Sequence, residues 1–146
     1  MGLGAAAITS SYNQEQNLAK QIVIAIVDDD ASLREALTGL MKSLGHRVIV
    51  FPSAEDFLNS KRRNGTACLI ADVQMDGMSG PELHRSLVAA GQPIPTILIT
   101  AYPDESVRKR ALQAGVKGYL TKPFSEEELL TCVHSALDSP PAAHER

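Results

Sequence analysis

Three consecutive acids, Asp28-Asp29-Asp30, a separate Asp72, the hydroxyl of Thr100 and the amine of Lys122 each stand at or just behind the end of a short apolar run. Clustered carboxylates repel, and each raises its neighbours' pKa unless a cation sits among them. Oxygen ligands with no nearby His or Cys favour a hard cation, and Mg²⁺ with several retained waters is the natural occupant. A carboxylate can also attack phosphorus and form an acyl phosphate. Such a transfer needs positioning and charge neutralisation more than further covalent chemistry. Mg²⁺, the Lys122 ammonium and the Thr100 hydroxyl would supply that neutralisation.

For these groups to meet, the apolar runs must be strands whose ends share one edge. Ile22 to Val27 is a continuous, largely β-branched run, as expected of a strand buried on both faces. Leu33, Leu37, Leu40, Met41 and Leu44 then follow helical spacing, and Gly45 stands where a left-handed cap is needed. Arg47 to Phe51 reads as strand two, and Ser53 with Asp56 as a capping-box start for a helix reaching about Ser60. Strand three is Ala67 to Ala71, with Asp72 at its end, and Pro81 opens a helix to Ala90. Strand four, Thr96 to Thr100, precedes a helix from about Asp104 to Ala114. Strand five is Val116 to Leu120, and a last helix, capped by Ser125 with Glu128, reaches about Leu137.

A helix in every connection leaves no room for antiparallel hairpins. The pattern predicts a doubly wound α/β fold, a five-stranded parallel sheet with right-handed crossovers and helices on both faces. In such sheets ligands bind beyond the carboxyl ends of the strands, where the strand order reverses. Acid pair, acid, hydroxyl and amine all belong to that edge.

Composition narrows the partners. With 44% hydrophobic and 21% charged residues, a chain of 146 residues suits one globular domain. A net charge of −3 offers no basic footprint, so direct contact with nucleic acid is not expected. The longest apolar run is far too short to span a bilayer, which predicts no membrane partner and a cytoplasmic setting. Cys68 and Cys132 each sit in an apolar run and read as buried, inert thiols in a reducing compartment. Residues 1–20 read as an extension, 21–138 as the folded domain, and 139–146 as a tail or the start of a linker.

The segments VDDD at 27–30, DVQMDGMSG at 72–80, ILITA at 97–101 and GYLTKPF at 118–124 closely resemble the receiver domains of two-component response regulators. FPSAEDFL at 51–58 and TKPFSEEELL at 121–130 look most like receivers of the nitrogen-fixation and nodulation type. The resemblance implies a flavodoxin-like (βα)5 sheet of strand order 2-1-3-4-5. It also implies that Asp72 is the phosphoacceptor and that Asp29 and Asp72 bind Mg²⁺. The Gln74 backbone carbonyl would be a further ligand, and Asp28 would act through a coordinated water. Lys122 would pair with the phosphoryl oxygens, Thr100 would move toward them, and Tyr119 would repack behind Thr100 as an aromatic switch. Lys122-Pro123 is expected to be cis. The donor would be a sensor histidine kinase, and output would pass to a domain beyond residue 146 acting in transcription regulation. The family usually has Pro where this chain has Asp76, so a φ restraint is lost and another carboxylate lies near the acidic pocket.

Other readings remain beside this one. Asp30 is better explained as the N-cap of the first helix than as a ligand. A flavin carrier on the same topology would want a hydroxyl- and Gly-rich loop after strand one, and three acids there would repel a phosphate. A phosphatase with an Asp nucleophile would want a second acid where Gln74 stands. A degenerate receiver, binding partners independently of phosphorylation, is the main alternative. His46, His84, His134 and His144 lack ligand spacing, and Arg108-Lys109-Arg110 reads as a solvated helix face. Val107, Arg108, Lys117 and Tyr119 mark a surface through which a phosphorylation-dependent homodimer could form, unless Val107 packs inward.

Overall fold

In the computed structural model the described residues are 22–138; the expected extension at 1–20 and tail at 139–146 lie outside them. Five strands, β1 (Val23–Val27), β2 (Arg47–Phe51), β3 (Cys68–Asp72), β4 (Thr96–Thr100) and β5 (Gly118–Thr121), form one parallel sheet in the order β2-β1-β3-β4-β5. The connections carry α1 (Ala31–Ser43), α2 (Ala54–Leu58), α3 (Gly80–Ala89) and α4 (Glu105–Gln113), and α5 (Glu126–Asp138) closes the domain. Fold class and strand order agree with the sequence reading.

Alternation along the strands divides the core in two. Ala25, Val27, Leu69, Ala71 and Leu98 face one side with Phe57, Leu83, Leu87 and Ala111 from α2, α3 and α4. Ile24, Ile26, Ile70, Ile97 and Ile99 face the other with Leu37 and Met41 of α1 and Leu129 and Val133 of α5. Each central strand is thereby buried on both faces, which accounts for its unbroken apolar run. Leu87 and Leu129 are fully buried, so truncating either to Ala would cost roughly 2–5 kcal/mol.

The helix starts follow local chemistry. Asp30 Oδ1 accepts from the Ser32 and Leu33 amides at 2.9 and 3.3 Å, so the third acid of the triplet is a cap. Ser79 with Glu82, and Ser125 with Glu128, close reciprocal capping boxes. Ser53 accepts from the Asp56 amide at 3.1 Å without the return bond, for which Asp is one carbon shorter than Glu. Gly45, at φ +87°, follows α1 as its left-handed residue.

Several boundaries differ from expectation, most by one residue and two by two. The second helix stops at Leu58 instead of Ser60, because Ser60 accepts from the Arg62 amide and caps a separate 3₁₀ turn, Lys61–Gly65. β5 begins at Gly118, two residues late, because Val116 turns into the core and Gly118 is the first residue paired with Ile97. Among the described residues no helix is long and apolar enough to cross a membrane.

Candidate functional site

Strand register brings the reactive groups level. Val27 pairs with Ala71, Asp72 with Ile99, and Thr100 with Thr121, so Asp28, Asp72, Thr100 and Lys122 all emerge within one residue step of the same edge. Asp28, Asp29 and Asp72 each offer a carboxylate oxygen, and these oxygens lie within 4.8 Å of one another. Asp28 and Asp72 are buried and Asp29 is exposed, so the cluster opens to solvent on one side. Three carboxylate oxygens at this spacing, without nitrogen or sulfur donors, fit a hard divalent cation such as Mg²⁺.

Backbone donors hold the two buried acids. Asp28 Oδ1 accepts from the Asp30 amide at 2.8 Å, and Asp72 Oδ1 accepts from the Gln74 amide at 3.0 Å. Lys122 Nζ donates to Asp72 Oδ2 at 2.9 Å and stands 3.7 Å from Asp28 Oδ2. Burial pushes the Asp28 carboxyl up to about 6, with the neighbouring Asp72 charge adding to it against the Asp30 amide and Lys122. Burial pulls Lys122 down, but its hydrogen bond to Asp72 and the charges of Asp28, Asp72 and Asp30 outweigh that and raise it. Lys122-Pro123 is a cis peptide.

The other half of the site is hydroxylic. Thr100 is fully buried; its Oγ1 donates to the side-chain Oε1 of Gln74 at 2.8 Å and accepts from the Tyr102 amide at 2.9 Å. Tyr119 is half-buried against the core, and its hydroxyl accepts from the Asp104 amide at 3.4 Å, at the start of α4.

With this edge assembled, likeness to known proteins becomes informative. The family signature of the response regulator receiver domain matches residues 24–134. The chain belongs to that family. The receiver is 44% identical over 119 residues to the response regulator protein TodT of Pseudomonas putida, covering 82% of this chain and 52% of that protein. It is 37% identical over 116 residues to nodulation protein W of Bradyrhizobium diazoefficiens, covering 80% and 51%. Its backbone superposes on FixJ-N with a TM-score of 0.75 at 30% identity, covering 83% of this chain and 97% of that one. The receiver spans about half the length of the curated relatives named here.

Some contacts had no signal in the sequence reading. The Gln74 side chain engages Thr100, whereas only its backbone carbonyl was expected to matter. Arg34 Nη1 donates to the Asp28 carbonyl at 2.6 Å, bracing the acidic turn from α1. Glu55 of α2 reaches the loop after β3 across 23 residues of sequence. Asp76 in that loop is exposed.

Among the described residues the histidines and cysteines take structural places; His144 lies outside them, and Cys132 is half-buried where burial was expected. His84 is buried on α3 and held below its usual value by burial and by Arg85. Folding brings His46 within electrostatic reach of His134, and burial with that neighbour lowers it. Cys68 is fully buried, and burial, aided by Cys132, pushes its thiol up to about 12. A thiol so reluctant to ionise is a poor nucleophile.

Proposed function

We propose that this receiver takes a phosphoryl group from the phosphohistidine of a sensor histidine kinase onto Asp72. The observation that carries the reading is the convergence of Asp28, Asp29 and Asp72 on one edge of the sheet with Lys122 bonded to the acceptor. A carboxylate oxygen of Asp72 forms the new P–O bond as the P–N bond to the imidazole breaks, and the imidazole retains its electron pair and takes a proton. Asp29 and Asp72, with the Gln74 carbonyl and Asp28 through water, would hold Mg²⁺, which supplies charge neutralisation when bound. Lys122 is already aimed at the acceptor oxygen and meets the incoming phosphoryl oxygens there.

The switch follows from what Thr100 must give up. To donate to an acyl phosphate on Asp72, its hydroxyl leaves Gln74, and its bond with the Tyr102 amide couples that movement to the loop before α4. Tyr119, tied to the Asp104 amide, carries the change into α4. A groove of about 320 Å³ lined by Leu33, Leu40, Pro123 and Phe124 reaches Lys122, the residue bonded to the acceptor, and is the surface against which a kinase presenting phosphohistidine would sit. The output is a transcription-regulating domain, as the names of relatives such as the transcriptional regulatory protein FixJ suggest. Pairing of two copies through α4 and β5 would rest on Arg108 and Lys117, since Val107 packs against the core. Sedimentation with beryllofluoride, on wild type and Lys117→Glu, tests that contact.

Intact mass after incubation with acetyl phosphate and Mg²⁺ tests the acceptor. Wild type should gain one phosphoryl group and Asp72→Asn none. Equal labelling of both proteins would remove Asp72 from its role. An unlabelled wild type would leave the phosphorylation-independent binding module as the better description.

A further inference from the structure

The loop between β3 and α3, residues 73–79, carries Gln74, whose amide and side chain touch Asp72 and Thr100. Its far end is seated firmly, because the Gly80 amide donates to the Val73 carbonyl at 3.2 Å and a Cβ on Gly80 would meet the Asp72 carbonyl oxygen. Its middle carries Asp76 in place of the restraining Pro, followed by a glycine, so it has the least intrinsic stiffness. At that point a side chain from a different element takes hold. Glu55 Oε2 accepts from the Met78 amide at 2.8 Å.

The fit is specific in two ways. Gly77 has φ +80°, a conformation that strains any L side chain, and a Cβ there would stand 2.7 Å from Glu55 Oε2. One glycine therefore satisfies both the turn and the approach of the carboxylate. Glu55 itself is placed by packing, since Ala54 and Phe57 on either side of it are fully buried. Phe57 also meets the Phe51 ring edge-on at 5.3 Å, linking α2 to the end of β2.

We propose that Glu55 is a positioning residue for the phosphorylation site. It clamps the loop through Met78 so that Gln74 presents its carbonyl and side chain in register with Asp72. The proposal rests on the phosphoryl-transfer reading for its consequence and on the Glu55–Met78 contact for its mechanism. Its charge-assisted bond does from outside what a proline would do within the loop.

The test compares wild type, Glu55→Gln, Glu55→Ala and Gly77→Ala by amide hydrogen exchange at Met78 in EDTA, and by Mg²⁺ calorimetry. Glu55→Gln keeps an oxygen acceptor but loses the charge, and should fall between wild type and Glu55→Ala. Glu55→Ala and Gly77→Ala should speed Met78 exchange and weaken Mg²⁺ binding by about tenfold, the low end for a residue that orients a ligand without touching the metal. The melting temperature of Glu55→Ala in EDTA should change little, which separates positioning from bulk stability. Equal Met78 exchange in wild type and Glu55→Ala, or equal Mg²⁺ affinity with exchange raised, would overturn the proposal. A wild type that binds no Mg²⁺ would instead overturn the phosphoryl-transfer reading, and the exchange rates would then judge the clamp alone.

Discussion

The two halves of the site are built to different standards of rigidity. On the β1 and β3 side, the buried acids are each held by a backbone amide two residues on, Asp30 for Asp28 and Gln74 for Asp72. On the β4 and β5 side, Thr100 also accepts from the amide two residues on, that of Tyr102, but its own proton goes to the exposed Gln74 side chain, and Tyr119 hangs on a long 3.4 Å bond, both contacts that could be exchanged. The acidic half stores like-charge repulsion in fixed positions, and in the proposed switch it is the hydroxylic half that moves in response. Chemistry demands fixed geometry, and signalling demands a second arrangement close in energy. Lys122 belongs to both halves, reaching from the end of β5 to the acids.

The contrast predicts effects of graded size. Mg²⁺ should produce the largest, because it relieves the fixed repulsion. At about 100-fold over its Kd it should add roughly 2.7 kcal/mol by binding linkage, read as a melting shift of several degrees. Asp29→Asn should abolish most of that shift while leaving the melting temperature in EDTA almost unchanged, since Asp29 is exposed. A full Mg²⁺ shift in Asp29→Asn would take this acid out of the metal site.

Lys122→Met comes next. It leaves Asp28 and Asp72 without their cation and should cost roughly 2 kcal/mol in metal-free protein, less than a fully buried pair because the Lys122 side chain is 23% exposed. Its folded pKa is raised, so its contribution is complete below the ordinary 10.5 and fades only as pH climbs through the folded value. Denaturant melts at pH 7 measure the loss.

Asp28→Asn should move stability the other way. The folded carboxyl is raised from 3.8 to about 6, so across that window the native state holds a proton that the unfolded chain has released. Wild-type stability in EDTA therefore falls as pH rises from 3.8 toward about 6 and then levels off. The Asn protein escapes that fall and should be more stable than wild type at pH 7, with the gain gone at the acid end of the window. A gain independent of pH would show that packing and not charge is responsible.

The hydroxylic half should yield the smallest effects. Thr100→Val removes two hydrogen bonds and should cost about 1 kcal/mol, while Asp72 is still labelled by acetyl phosphate. Tyr119→Phe gives up a single long bond and should cost less than about 0.5 kcal/mol. Chemical shifts of the α4 amides on adding beryllofluoride would sharpen the comparison, since both variants should label yet respond weakly there. Loss of labelling equal to that of Asp72→Asn would erase the distinction between the halves.

Much of this architecture was legible in the residues. Strands buried on both faces carry their signature as β-branched runs, and helix starts carry theirs as a Ser or Asp cap, followed by an acid in every helix but α1. Because both are local, β2 and β4 were placed to the residue and the other strands to within two. The edge chemistry was legible for a related reason. In a parallel sheet every strand ends on the same side, so Asp28, Asp72, Thr100 and Lys122 could be assigned to one edge before any contact was known.

What escaped the sequence depends on side chains that meet across long intervals. Nothing local ties Gln74 Oε1 to Thr100, Arg34 to the Asp28 carbonyl, or Glu55 to Met78, because each contact exists only once helices have packed on the sheet. Periodicity and strand direction are properties of short segments, so the groups that gather at the carboxyl edge were written in the residues. How buried Asp28 is, which oxygen of Asp72 Lys122 reaches, and what restrains Thr100 and the loop after β3 were set by packing, because burial and hydrogen-bond geometry depend on atoms contributed by the whole fold.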